Sequence, residues 1–409
     1  MMKIYPSSTF NFRNTFISLP DVSAIVEEVK QEGDLAVKKF AHQFDGFEGN
    51  QFFASASMIE TAYSEVSQKF INAVKEAAEN IKNFALNQRQ TLKDMQVETP
   101  FGILGHRIIP IDTVGCYIPG GRFPLPSTAL MTIIPAKVAG VQKVIAATPK
   151  NNPHVIVAAD IAGVDDILLV GGVQAIAALA YGTETIPRVD KIVGPGNKYV
   201  SAAKKYVYGD AGIDFIAGPS EVLVIADDTA NPTIVAADLL AQAEHDPDAR
   251  AILLTTSEHL ADKVAKKVSE QLENLSTRHT AQQSIDDSAI VLCDSLEQII
   301  ELTNAIAPEH LEIQIENPSD IVHKIRNYGS LFIGNQSAEV FGDYCAGPNH
   351  TLPTRGAARY TGGLSIFSYL KIVTFQQIMN PKDLIQVSAL LASVEGLEGH
   401  KKAAEVRKL

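Results

Sequence analysis

In "AQAEHDPDAR", residues 241–250, Gln242, Glu244 and His245 follow directly on the apolar helical run "NPTIVAADLL". Gln242 and His245 are three apart, so a helix can present both to one side. Neutral imidazole suits zinc, and an amide oxygen is a weaker, uncommon ligand. Such a pair needs a carboxylate to become a metal site. Asp343, in the turn-like "EVFGDYCAGPNH", can supply one, although an Asx-turn or helix cap explains it equally well. A second Glu–His pair, Glu309 and His310, follows Pro308 in "NAIAPEHLEIQI". Histidine near neutral pKa can take or give a proton. Adjacent residues in extended chain point to opposite sides, so both can serve one pocket only where the backbone turns. Glu395 and His400, in "SVEGLEGHKK", end an apolar helix, where a glycine stop and a dipole-facing histidine need no function.

The elements that must hold these residues are legible from periodicity. Residues 21–46 and 57–95 read as amphipathic helices, with Val22, Ile25, Val26 and Val29 at helical spacing. From residue 113, β-rich runs alternate with helical ones: "VGCYIP", "KVIAAT", "DILLVGG" and "KIVGPG". The alternation restarts with "EVLVIAD", "RAILLTT", "AIVLC", "HLEIQI" and "SLFIG". This is the pattern of βαβ units, so two mostly parallel sheets and two α/β domains are expected. The tail beyond about residue 360 reads as mainly helical. Glycine and proline concentrate in "YIPGGRFPLPST", "LLVGGVQA", "IVGPGNKY" and "IAGPSEV". Loops of this kind sit at the carboxyl ends of strands, where open parallel sheets bind ligands and backbone N–H groups can approach an anion. Tight βα turns account for each loop taken singly. None matches GxGxxG, so the usual dinucleotide fingerprint is absent.

Composition narrows the function classes. The chain has 409 residues, more than one simple core accommodates. Its net charge of −12 disfavours nucleic acid or anionic membrane as a partner. The basic doublets in "AAKKYV" and "VAKKVS" read as solvated helix faces. Cys116, Cys293 and Cys345 are far apart, odd in number and without CxxC spacing. That favours reduced thiols in the cytoplasm over a disulfide framework. The first residues lack a signal-peptide core, and no apolar run is long enough for a transmembrane helix.

With these residues in view, the chain resembles the histidinol dehydrogenase family. The likeness runs from "EGDLAVKKFAHQFD" to "EGLEGHKKAAEVR". It is carried most specifically by "GIDFIAGPSEVLVIADDTANPTIVAADLLAQAEHDPDA", and also by "GCYIPGGR", "GPGNKYVSAAK", "NAIAPEHLEI" and "GPNHTLPTRGAARYTGGLS". The resemblance implies an α/β fold of two incomplete Rossmann-like domains with a small helical C-terminal segment. It implies a short N-terminal arm (1–20) and a first domain from 21–112 with 226–360. A second domain (113–225) and a C-terminal segment (361–409) exchanged across a homodimer complete the division.

The implied activity is NAD-dependent four-electron oxidation of L-histidinol to L-histidine through bound L-histidinaldehyde, the last two steps of histidine biosynthesis. Zinc would be held by Gln242, His245, Asp343 and His400, the last coming from the partner chain. Substrate would meet Ser220, those four metal ligands, Glu309, His310 and Glu395. Glu395 would recognise its amino group. Tyr117, Gln174 and Asn197 would contact NAD. His310 would be the base for the alcohol and Glu309 the group that activates water. Cys116 would be a packing residue, and Glu244 a structural one. Competing readings are a related zinc and NAD enzyme for another primary alcohol such as a sulfonated diol, a zinc hydrolase, or a non-catalytic nucleotide-binding protein. NADH formation from L-histidinol separates them.

Overall fold

The computed structural model describes residues 2–10, 18–49, 51–121, 123–149 and 151–408. Residues 11–17 of the expected N-terminal arm lie outside these. An edge strand β1 (Lys3–Pro6) is followed by helices α1 (Ser23–Glu32), α2 (Asp34–Asp45), α3 (Ala56–Glu65) and α4 (Gln68–Gln90). The two long helices expected over 21–46 and 57–95 are each broken. Gly33, at φ +56°, ends α1, and Ser67 caps α4 by accepting the Phe70 N–H. A residue at positive φ cannot continue a right-handed helix, and a serine cap starts a new one. Strands β2 (Met95–Thr99) and β3 (Gly102–Pro110) come next.

The first alternating unit runs β4 (Thr113–Tyr117), α5 (Pro126–Ala139), β5 (Lys143–Ala147), α6 (Pro153–Ile161), β6 (Asp166–Leu168), α7 (Gly172–Tyr181), β7 (Lys191–Val193), α8 (Lys198–Val207) and β8 (Gly212–Ile213). The second runs β9 (Glu221–Ala226), α9 (Pro232–Ala243), β10 (Arg250–Thr255), α10 (Glu258–Leu272), α11 (Arg278–Asp286), β11 (Ala289–Leu292), α12 (Leu296–Ile306), β12 (His310–Gln314), α13 (Ser319–Val322), β13 (Ser330–Ile333) and α14 (Glu339–Tyr344). The chain finishes with β14 (Leu370–Ile378), α15 (Lys382–Val394) and α16 (Glu398–Glu405).

Both units build parallel sheets in one order. The five-stranded sheet is β6-β5-β4-β7-β8, and the six-stranded sheet is β1-β11-β10-β9-β12-β13. Counted within each unit, both read third, second, first, fourth, fifth, which is the doubly wound arrangement with a switch point beside the first strand. β1 extends the second sheet at its edge, pairing parallel with β11. Apolar clusters fill both faces of each sheet.

Two expectations are corrected and one is extended. The mainly helical tail also holds a strand: β14 pairs antiparallel with β3 along its whole length, and β2 completes a third sheet. The alternating βαβ rhythm hides such a sheet because its strands are far apart in sequence. The grouping of 21–112 with 226–360 is also revised. Val26 and Phe40 pack into one cluster with Ile176 and Leu179 of α7, and Val74 and Ile81 into another with α5 residues Ile133 and Ile134. Helices α1–α4 therefore cover the five-stranded sheet, and the arm's β1 belongs to the other. Lys204 of "AAKKYV" is not solvated: it is 2% exposed and paired with buried Asp214. Its Nζ also donates to the Gly194 carbonyl (2.9 Å), while Asp214 accepts the Gly194 N–H (2.8 Å). A buried charge persists only with such a partner, and here the pair pins the loop after β7.

Candidate active site

A crevice of about 140 Å³ lies between the two sheets. Its walls include Ser220, Gln242, His245, Glu309, His310 and Asp343, with Thr128 and Pro195 from the five-stranded half. Six of the residues expected at the substrate are thus brought together. Local sequence explains their placing. Pro232 at the first helical position and the Asn231 side chain, which accepts the Thr233 N–H at 2.9 Å, start α9. The helix ends at Ala243, leaving Gln242 in its last turn and His245 just beyond it. Glu244 points elsewhere: its carboxylate accepts the Thr277 hydroxyl at 2.6 Å. Ala307 adopts φ +54° and ends α12. That left-handed turn at a non-glycine residue, two positions before Glu309, is the bend that lets Glu309 and His310 share one pocket.

The site is dense in buried acid. Glu309 Oε2 accepts the Glu221 N–H at 2.9 Å and lies 3.7 Å from His310 Nδ1. The Glu221 carbonyl lies 3.3 Å from that Nδ1, which assigns Nδ1 as the donor and leaves Nε2 toward Asp343, 3.6 Å away. Burial pushes the Glu309 carboxyl up to about 8 and the Glu221 carboxyl up to about 7. Burial pulls His310 down, but Glu339, Glu309 and Asp343 together outweigh it and raise it well above its ordinary value. Asp343 moves the other way: burial raises it, but the approach of His310 and the other nearby histidines brings it below its usual range.

The cluster also fits a cation. His310, Glu339 and Asp343 offer ligand atoms that all lie within 4.8 Å of one another. His310 Nε2 and Glu339 Oε2 are buried without a hydrogen-bond partner among the described residues. Orphaned polar atoms of this kind are rare in folded proteins. Gln242 and His245 line the same crevice, and Asp343 is common to both possible ligand sets. Only one orientation of the Gln242 amide suits its neighbours: with its nitrogen placed toward Glu339 Oε1 (2.5 Å) it donates there, and its oxygen then accepts from the Glu221 N–H (3.0 Å), a donor shared with Glu309.

Tyr117, Gln174 and Asn197 meet in a separate cavity of about 550 Å³. It opens at the carboxyl ends of β4, β6 and β7, beside the switch point of the five-stranded sheet. Gly120, Gly121 and Gly172 of the glycine-rich loops line it. Gly194, at φ +112°, turns the next loop; a Cβ there would fall 2.2 Å from the Tyr117 carbonyl oxygen. Two amide donors at the start of α7 are already used. The Gly171 N–H donates to Asp45 and the Gly172 N–H to the Tyr117 hydroxyl (3.1 and 3.0 Å). Asn197 caps α8, accepting from the N–H groups of Tyr199 and Val200 at 3.0 and 3.1 Å. Gln174 is fully buried and donates to Asp45 (3.0 Å), while its carbonyl oxygen has no partner among the described residues. That free acceptor, in a cavity of this size, suits a nucleotide. Pro195 lines the first crevice and Asn197 the second cavity, so one loop walls both.

Glu395 and His400 do not join their own chain's crevice. They sit at the end of α15 and in α16, both exposed. Around them lies an uncovered apolar surface that includes Leu390 (66% exposed) and Val394 (79%). Cys116 is buried and its thiol is pushed up to about 12 by burial, which removes it from nucleophilic chemistry. Sequence reading passed over His350, which lines the crevice and whose Nδ1 lies 2.8 Å from the Asp343 carbonyl oxygen. It also passed over Glu221, Asp238, Glu312 and Glu339. The signal was an acid embedded in an apolar run, as in "HLEIQI" and "AADLL", where ordinary packing has no use for one.

Among the described residues, no helix is long and apolar enough to cross a membrane. The family profile described as Histidinol dehydrogenase matches residues 14–408. Histidinol dehydrogenase of Methanocaldococcus jannaschii is 47% identical over 396 residues, covering 95% of this chain and 92% of its own. That of Listeria innocua is 46% identical over 397 residues, with the same coverage of 95% and 92%. The crystal structure of histidinol dehydrogenase from Elizabethkingia anophelis superposes with a TM-score of 0.93 at 39% identity, covering 99% of this chain and 98% of that one. The chain belongs to the histidinol dehydrogenase family of oxidoreductases.

Proposed function

We propose that the protein oxidises L-histidinol to L-histidine through bound L-histidinaldehyde, with NAD as the hydride acceptor. The observation that carries this reading is the meeting of Glu309 and His310 with Ser220, Gln242, His245 and Asp343 in one crevice, walled by the loop that also borders the Tyr117–Gln174–Asn197 cavity.

The chain's own residues divide the work. His310 takes the alcohol proton through Nε2 as the first hydride leaves; its Nδ1–H is held by the Glu221 carbonyl, which fixes the ring. The aldehyde stays bound in the crevice, which prevents escape of a reactive intermediate before the second oxidation. Glu309, as carboxylate, removes a proton from a water as it adds to the aldehyde carbon. The second hydride then leaves and the carboxylate product forms. In total two hydrides pass to two NAD molecules, one water is consumed and three protons are released. NAD supplies the hydride-accepting chemistry, and Tyr117, Gln174 and Asn197 would hold it. Zinc would be held by Gln242, His245, Asp343 and His400 of the partner subunit, where it would orient the substrate's imidazole and amine and offset local negative charge. The carboxylates that hold His310 protonated in the metal-free chain are the groups such a cation neutralises, which frees the imidazole to act as a base.

The uncovered apolar surface of α15 and α16 supports a homodimer in which His400 and Glu395 of the partner subunit complete the crevice, Glu395 meeting the substrate's amino group. The three free cysteines suit the reducing cytoplasm. The alternative ligand set, His310 with Glu339 and Asp343, would occupy the proposed base. Zinc retained by His310→Asn and lost by His245→Ala supports the division made here; the reverse assigns the metal to the other set. The reaction is tested by adding L-histidinol, NAD and zinc and counting NADH. Two per substrate supports the proposal, and none removes it.

A further inference from the structure

Behind three of the crevice residues stands a buried acid on the same face of the same element. Asp238 lies four residues before Gln242 on α9, and Glu339 lies four before Asp343 on α14. Glu312 lies two after His310 on β12. Four along a helix and two along a strand return to the same side. The three acids are all buried and linked. Gln314 Nε2 donates to both Asp238 and Glu312 at 2.8 Å and so bridges the two carboxyl groups, and Glu312 Oε1 accepts the Glu339 backbone N–H at 2.9 Å. They form a floor beneath the crevice that touches the site through Glu339.

That contact falls on the Gln242 amide. An amide ligates a metal through oxygen, because its nitrogen carries only donor hydrogens. A glutamine can present either end by turning its last torsion, which is broad and roughly two-fold. Here two neighbours favour one choice: Glu339 Oε1, at 2.5 Å from one end, and the Glu221 N–H, at 3.0 Å from the other and shared with Glu309. We propose that Glu339 is a positioning residue for the metal site. It takes the Gln242 N–H and so leaves the amide oxygen, whose second lone pair is not used by the Glu221 N–H, as the atom available to a cation. The Glu312–Asp238 pair holds the start of α14 where Glu339 can do this. The inference rests on the reading of Gln242 as a zinc ligand.

The test measures zinc affinity by competition with a chromophoric chelator, together with the visible spectrum of the cobalt(II) form. Metal-free melting curves confirm that each variant folds. Glu339→Met keeps volume and removes the acceptor. It weakens zinc about 10–100-fold, as loss of a residue that orients a ligand does, and shifts the cobalt(II) bands. Glu339→Gln keeps an acceptor oxygen and stays near the parent in both. The exchanged pair, Glu339→Gln with Gln242→Glu, rebuilds the hydrogen bond in reverse and binds zinc at least as tightly as the parent. It decides the matter should Glu339→Met fail to fold. Parent-like affinity in Glu339→Met, alongside loss in Gln242→Ala, overturns the positioning role and spares the ligand reading. So does an exchanged pair that cannot bind zinc. Parent-like affinity in Gln242→Ala removes the ligand reading and this inference with it.

Discussion

The two parallel sheets share a strand order and use opposite ends. In the five-stranded sheet the cavity opens beyond the carboxyl ends, at Tyr117 after β4, Gly172 after β6 and Asn197 after β7. In the six-stranded sheet the crevice opens at the amino ends, where Ser220 precedes β9 and Glu309 precedes β12. The reason lies in the connection. The chain leaves β8 and enters β9 through "DFIAGPS", so the finishing edge of one sheet faces the starting edge of the other. The switch-point rule for open sheets holds for the first and not for the second. Fold order alone therefore does not locate a reaction centre; the acids and histidines do.

This division can be broken by mutation. The largest effect belongs to the acid–base pair. His310→Asn should slow oxidation of the alcohol by about 10²–10⁴-fold, the usual worth of a general base. Glu309→Gln should spare that step and slow oxidation of supplied L-histidinaldehyde by a similar factor. Single-turnover assays of the two halves check this, and equal loss of both in Glu309→Gln would contradict the split. Next comes the metal. Removal of zinc by a chelator should lower turnover by about 10–100-fold, the scale on which loss of a metal-orienting group acts, and leave binding of NADH, followed by its fluorescence, unchanged.

A third test uses pH. Burial lifts the Glu309 carboxyl to about 8, and it acts as a base only when ionised. Aldehyde oxidation should therefore rise with pH through about 8, and the rise should vanish in Glu309→Gln. Stability moves the opposite way. Glu221, Glu309 and Glu312 have folded values of about 7, 8 and 8 against 4.5. In that window the folded chain binds more protons than the unfolded one. The metal-free protein should be most stable below about pH 4.5 as far as these groups are concerned, and lose that contribution as pH rises through 7 to 8. Urea titrations of the metal-free chain at several pH values measure it. The smallest effect is local: Asn197→Ala should cost about 1 kcal/mol through the lost cap of α8, and weaken NADH binding without changing zinc content.

The inner strands of both parallel sheets were legible because they are short apolar runs between turns, as "KVIAAT" and "EVLVIAD" are; the edge strands β1 and β8, short and only partly apolar, were not. The third sheet was not. β14 pairs with β3 across some 260 residues of chain, and its largely exposed sequence, without a regular alternation, carries no local mark of that partner. Gln242, His245, Glu309 and His310 stood out by type and spacing. The acids beneath them did not, because Glu312 and Asp238 read as single polar residues in apolar runs until tertiary contacts bring them together. His400 and Glu395 lie outside their own chain's crevice, a placing that periodicity cannot anticipate.

The division of labour between the two ends is tested most directly by measuring zinc content and NADH affinity side by side in Gln242→Ala and Gln174→Ala. The expected result is crossed. Gln242→Ala loses zinc and keeps NADH affinity, and Gln174→Ala keeps zinc and loses NADH affinity. A variant that loses both while remaining folded, or a Gln174→Ala chain with unchanged NADH affinity, would contradict it.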